Sequence, residues 1–316
     1  MKSVSPSRGG FWFVSTLVDV QADLPAVITP NVRLQRATDQ QIKELKDVYP
    51  AVGFFGHRIE DGREVDSTKD KTEQMETGEP FKLPREKWRY FVLAYSGDPE
   101  HAYGVKQIFL LGEPSCTCRT VVITSEEYGE GNRVAWGAEM YAHTKGMRLP
   151  LVRIITDATL RQVKAAHTGL MKIHKNHPEI PRAIDMLNDL RMVPNHADLY
   201  MLGLFAIIEL LLTHNPQDRD NADSLTHQVS TKIPLLDKKL PERIDYRPFT
   251  ATPAKVWRKL YGYRSKIAHG AKVDFARDFR ELKSPDVARD FVQMTCQKLI
   301  RHAIQEPDLY EDLKAV

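Results

Sequence analysis

Cysteine is scarce in this 316-residue chain. Its three residues, Cys116, Cys118 and Cys296, are too few and too odd a set for a disulfide framework, which fits a reducing compartment. In an alternating strand Cys116 and Cys118 would share a face, but the paired ligand spacing of a zinc site is missing. Long apolar runs are missing too, which excludes a helical membrane span. Ser15, Thr16 and Asp19 break the stretch Phe11 to Val20, so no signal peptide is expected and the cytoplasm is the expected compartment. Strong charge of one sign is also lacking: the net is +3. From Leu151 onward 26 Lys and Arg stand against 21 Asp and Glu, giving +5; the 19 and 21 before it give −2. A mildly basic second half permits a polyanionic partner without demanding one.

What is present suggests an α+β chain of two domains, residues 1–155 and 156–316, because the length exceeds one ordinary core. Short apolar or β-branched runs at Phe11–Val20, Ala51–Ile59, Trp88–Tyr95, Gln107–Leu111, Thr120–Thr124 and Leu151–Ile155 read as strands of a β-rich mixed domain. One helix interrupts them: Thr38 with Gln41 three residues on is a capping-box pattern opening Asp39 to Tyr49, and Pro50 stops it. Gly62 to Lys87 is polar and reads as a long exposed loop. Trp12, Trp88 and Trp136 read as core of this half rather than as platforms for bases.

From Thr156 the apolar period becomes helical. Thr156 or Asp157 caps a helix to about Lys175. Pro178 and Pro181 open one that ends before Pro194, and His196 to His214 is strongly apolar. Ser224 to Leu236 is a further helix, and Lys238 to Thr252 an irregular linker. Thr252-Pro253 starts a helix that Gly270 ends, and Ser284-Pro285 starts a last one running to about Gln305. Five or six helices packed as a bundle are expected.

The informative segment is PAKVWRKLYGYRSKIAHG, Pro253 to Gly270. On a helical wheel Val256, Trp257, Leu260, Tyr261, Ile267 and Ala268 form one apolar stripe, with Arg264 in its middle. A charge there would be buried and costly unless paired. In MLGLFAIIELLLT, Met201 to Thr213, Glu209 is the only charge and poses the same problem. The simplest solution is that the two helices pack and Glu209 pairs with Arg264. His269 ends the same helix, where the negative end of the dipole favours an imidazolium suited to proton transfer. Ser265, four residues earlier, shares its face and could orient the ring. Positions five apart differ by about 140° around the axis. Arg264 and His269 therefore converge only if the helix frays or a twofold partner completes the site. His167, His174 and His177 cluster without neighbouring carboxylate or Cys in the sequence, so no metal is assigned to them and no cofactor is expected.

YRSKIAHG resembles the signature of the HEPN superfamily, and the fuller pattern is similar to its Apea-like branch. That branch carries an apolar helix with a central Glu, as in FAIIELLLT, then a second helix like SLTHQVSTKIPLL. Last comes the string running from Leu260 to Gly270. The resemblance covers roughly Leu160 to Gln305 and implies a helical, usually dimeric domain, often a metal-independent endoribonuclease. Carried over, Arg264 and His269 are catalytic, and Glu209 and Ser265 support them. Lys266 reads from its charge as either solvated or a candidate contact for an RNA phosphate. The resemblance further implies RNA as substrate, a homodimer, and a role in antiphage defence of the abortive-infection kind. The N-terminal half would then be a sensor, with an activator, phage-derived or other, reaching it around Asp66 to Thr77. A non-catalytic HEPN module for dimerisation or RNA or nucleotide binding, and the toxin of a toxin–antitoxin pair, are the alternatives. The residue types agree with the first reading. A His can move the proton of the ribose 2′-OH or of the leaving 5′ oxygen, and an Arg can stabilise charge on the phosphoryl oxygens.

Overall fold

The computed structural model describes residues 9–14, 18–48, 60–63, 80–97, 99–113, 118–124, 153–173, 176–214 and 224–315. Among them the chain forms two compact units, with the changeover between Lys164 and Ala165. It falls inside a continuous helix, Asp157–Ile173, rather than at the residue 155 boundary expected from the change of period.

In the first unit the strands β1 (Gly9–Val14), β2 (Val18–Gln21), β3 (Ala26–Thr29) and β4 (Val32–Arg36) are followed by helix α1 (Asp39–Val48). Then come β5 (Asp61–Arg63), β6 (Pro80–Lys82), β7 (Phe91–Ser96), helix α2 (Pro99–Ile108), β8 (Cys118–Thr124) and β9 (Arg153–Thr156). The main sheet has the order β3-β4-β7-β1-β8 and every neighbouring pair in it is antiparallel. β1 is interior and apolar on both faces. Phe11 and Phe13 join Ile42, Leu45, Tyr90 and Val92 in the core that α1 covers, while Trp12 stacks on Tyr95 at 4.6 Å. Trp88 packs at the edge of that core; Trp136 lies outside the described residues.

The expected capping box is present: the Thr38 amide donates to Gln41 Oε1 (3.0 Å) and the Gln41 amide to Thr38 Oγ1 (3.2 Å). Phe11–Val20 is two strands, and the expected strand Ala51–Ile59 lies outside the described residues. Two expectations are corrected. Gln107–Leu111 is not a strand but the end of α2 followed by a 3-10 turn, Phe109–Leu111, whose three side chains are all buried; a short apolar run fits a buried helical turn as well as a strand. The ends of the expected loop Gly62–Lys87 are ordered, β5 pairing antiparallel with β6, and Arg85–Lys87 forms a 3-10 turn. Residues 64–79, including the proposed activator contact at Asp66 to Thr77, lie outside the described residues. The β3–β4 hairpin, turning on Pro30-Asn31, was not anticipated.

Helix α3 is Asp157–Ile173; Thr156 caps it, its Oγ1 accepting from the Thr159 amide at 3.4 Å. The second unit continues with α4 (Glu179–Asp189), α5 (Asp198–Leu212), α6 (Leu225–Asp237), α7 (Pro253–Ala268), α8 (Pro285–Gln305) and α9 (Pro307–Ala315). α5 is the axis of this unit and packs against α4, α6, α7, α8 and α9. Its sequence dictates that place: a helix apolar nearly all round must be surrounded. Tyr200, Met201, Leu204, Phe205, Ile207, Ile208, Leu211 and Leu212 are all buried. At about 2 kcal/mol for each large apolar side chain, this helix supplies a major part of the unit's cohesion. Lys238–Thr252 is irregular, as expected, yet packed: Phe249 is buried and Tyr246 Oη accepts from Trp257 Nε1 at 2.9 Å. α9 lies beyond the expected last helix, and Tyr310 holds it there, buried, donating to the Leu299 carbonyl at 3.0 Å.

Candidate functional site

Two helices position the candidate residues. α5 ends just past Glu209, where Thr213 donates both its amide (3.0 Å) and its hydroxyl (2.9 Å) to the Glu209 carbonyl. The buried Lys232 of α6 donates its ammonium to the Leu212 carbonyl (3.1 Å) and to Gln228 Oε1 (3.2 Å). A cation thus sits on the negative end of α5 and fixes the turn that carries Glu209. α7 starts at Pro253 after Thr252 and buries Val256, Trp257, Leu260, Tyr261, Tyr263 and Ile267. Phe205 of α5 meets the rings of Trp257 and Tyr261 edge-on, at 6.5 and 5.6 Å between centroids.

Across that contact the expected pair is made. Arg264 Nη2 lies 3.2 Å from both carboxylate oxygens of Glu209, and the Tyr261 hydroxyl donates to Oε1 at 3.0 Å. The guanidinium also lies over the Tyr261 ring, 5.4 Å from its centroid. Burial, and next the Glu209 charge, push the Tyr261 hydroxyl above its ordinary value, so it remains a donor across the physiological range. Arg264 is not as deep as its place in the apolar stripe implied: its side chain is 28% exposed and that of Glu209 19%. The long arginine stem lets the head reach toward water from an apolar face. Only one end of the guanidinium is held. Arg264 Nε is sealed from solvent and has no hydrogen-bond partner among the described residues, a state that costs about 1–3 kcal/mol.

α7 ends as its sequence demands. His269 is the C-cap just past Ala268, Gly270 follows at φ +66°, and the amides of Gly270 and Ala271 donate to the carbonyls of Ile267 (3.1 Å) and Lys266 (2.9 Å). This termination leaves His269 exposed. Ala268, expected in the apolar stripe, is exposed as well, and Tyr263, not expected there, is buried against Phe275 and Phe279.

Glu209, Tyr261 and Arg264 are thus brought together, while within one chain Arg264 and His269 share no hydrogen-bond partner among the described residues. Ser265 is half-buried, and its hydroxyl forms no hydrogen bond to the His269 ring among the described residues. Lys266, the candidate phosphate contact, is engaged by Asp278 Oδ2 at 2.5 Å and lies over the Phe279 ring. That hydrogen bond holds the Asp278 carboxyl below its ordinary value. A phosphate using Lys266 would compete with Asp278 for the ammonium or share it through its remaining donors. Sequence reasoning missed two participants. Tyr261 counts as apolar on a wheel, although it stands one turn before Arg264 and so can share its partner; Asp278 belongs to a loop whose path no local pattern gives. Of the three clustered histidines, His177 is buried at the head of α4, His167 is half-buried on α3, and His174 lies outside the described residues. No family model, curated protein or solved structure matches the chain.

Proposed function

We propose that the protein is a metal-independent endoribonuclease of the HEPN kind, acting as a homodimer. The observation that carries the reading is a half-satisfied arginine. Glu209 and Tyr261 hold one end of the Arg264 guanidinium and leave the enclosed Nε without an acceptor among the described residues. A purely structural arginine would be expected to satisfy its donors. Held at one end and 28% exposed, the guanidinium can donate its outer N–H groups to a phosphoryl oxygen without losing its support. The resemblance of the string Leu260 to Gly270 to the HEPN signature supports the same reading, and so does the exposed imidazole of His269 at the helix end.

In this mechanism His269 takes the proton of the ribose 2′-OH or returns one to the leaving 5′ oxygen. The 2′ oxygen attacks the adjacent phosphorus, and Arg264 stabilises the charge on the non-bridging oxygens. The products are a 2′,3′-cyclic phosphate and a 5′-hydroxyl, and DNA, lacking the 2′-OH, is not cut. Because Arg264 and His269 share no hydrogen-bond partner among the described residues of one chain, a twofold copy supplies the second half of each site. The test is RNA digestion in EDTA. Wild type cuts, and Arg264→Ala and His269→Ala each lose about 100-fold or more while the fold and the dimer persist. If purified wild type leaves RNA intact under every activating condition tried, the domain is a binding or dimerisation module instead. Engagement of Lys266 by Asp278 favours only the dimerisation form of that second reading, since it draws the ammonium away from a phosphate.

A further inference from the structure

His177 is only 8% exposed, yet among the described residues neither of its ring nitrogens is hydrogen-bonded; each faces a carboxylate instead. Nε2 lies 3.5 Å from Asp308 Oδ1 and Nδ1 lies 3.8 Å from Glu179 Oε1. The ligand atoms of His177, Asp308 and Glu311 all fall within 4.8 Å of one another. They come from distant parts of the chain. His177 is held just before α4, its amide on the Ile173 carbonyl (3.1 Å) and its carbonyl accepting from the Ile180 amide (3.1 Å). Asp308 and Glu311 are three residues apart on the first turns of α9, so they share a face. Tyr310 fixes the rotation of α9 by burying its own side chain.

We propose that His177, Asp308 and Glu311 bind a divalent transition-metal ion that fastens α9 to the head of α4. One imidazole and two carboxylates make a borderline donor set suited to Zn2+ or Mn2+. Ligands at about 2.1 Å from a tetrahedral ion stand about 3.4 Å apart. The His177–Asp308 separation already matches that spacing, and it is too long for a good hydrogen bond. The exposed Asp308 and Glu311 side chains can close the wider gap by rotation, and water completes the coordination. Glu179 stands 3.8 Å from the far ring nitrogen, beyond hydrogen-bond reach but on the side from which a second carboxylate can orient a metal-binding imidazole once it closes on Nδ1. An ion pair alone accounts for less: one imidazolium leaves two of the three carboxylates uncompensated, whereas a divalent ion offsets the two that would bind it.

The site makes no assumption about RNA, and its test is independent of cleavage. Full-length protein stripped with EDTA and dialysed is titrated with Zn2+, and separately with Mn2+, by calorimetry, with Mg2+ as the control. One ion per chain is expected, with Zn2+ tighter than Mn2+. At least tenfold weaker binding is expected both for His177→Ala and for the double variant Asp308→Asn with Glu311→Gln. The double variant changes only exposed side chains and so keeps the fold if His177→Ala does not. Zn2+ should raise the melting temperature of wild type and leave that of the double variant unmoved. Absence of stoichiometric binding to wild type, or equal binding by the double variant, would overturn the site.

Discussion

Each unit of the molecule contains a carboxylate gripped by a tyrosine hydroxyl and a cation, and the two grips differ in what they leave over. In the β-rich unit Tyr90 donates to Glu60 at 2.9 Å while Lys46 and Lys82 stand at 2.5 and 3.9 Å. In the helical unit Tyr261 and Arg264 share Glu209. Lys46, 49% exposed, turns its surplus donors to water. Arg264 keeps an enclosed donor with no acceptor among the described residues. The first arrangement is complete in itself and serves the fold. The second leaves a donor unsatisfied on a guanidinium that is itself 28% exposed, so a ligand reaching its outer end meets a charged group that is not fully engaged. The same triad of residue types is therefore structural in one unit and a candidate site in the other, and the unspent donor makes the distinction.

The widest separation should come from deleting the two carboxylates. Glu209→Ala leaves a partly buried guanidinium unpaired and should cost about 3 kcal/mol in urea unfolding. Glu60→Ala should cost only about 1 kcal/mol, because its lysines are already screened by water. Equal costs would erase the contrast. The tyrosines sharpen it. Tyr261→Phe and Tyr90→Phe should each cost about 1 kcal/mol of stability. Only Tyr261→Phe should also slow RNA cleavage, by roughly tenfold, since it frees Glu209 and with it Arg264.

The smallest effect is on acid sensitivity, and it separates the units by pH. Burial holds the His302 imidazole, 3.3 Å from the Tyr310 hydroxyl, below its ordinary value of 6.5. The unfolded chain then takes the proton first, so stability of the helical unit is full above pH 6.5 and declines as the pH falls below it. For Glu60 burial acts upward, but the hydrogen bonds of Lys46 and Tyr90 outweigh it and hold the carboxyl below 4.5. Its contribution is full above pH 4.5 and is lost as the pH falls through the depressed value. Thermal unfolding followed from pH 8 to 4 should show the helical unit weakening first. His302→Gln, which has no proton to gain, should remove the early decline.

The pairing of α5 with α7 was legible because the simplest solution for two lone charges, each on an apolar helix face, is to pair them. The capping box at Thr38, the proline starts of α7 and α8 and the stop at Gly270 were legible for a similar reason: each depends on residues within one turn of one another. Elements without such marks were missed. Gln107–Leu111 is apolar without period, and α9 is only nine residues with one buried side chain. Its presence depends on Tyr310 finding Leu299 and His302 on α8. His177 looked bare of company in the sequence, since Asp308 and Glu311 lie more than a hundred residues away.

The sequence by itself marked the starts of α7 and α8, the stop of α7, and the two charges that would have to meet. Those outcomes follow from local backbone chemistry and from the expense of an unpaired charge in an apolar face. Tertiary packing alone decided that Tyr261 would join that pair, that Asp278 would occupy Lys266, and that two carboxylates near the C-terminus would face His177. Such meetings depend on how distant segments come to rest against each other, and no spacing along one segment encodes them.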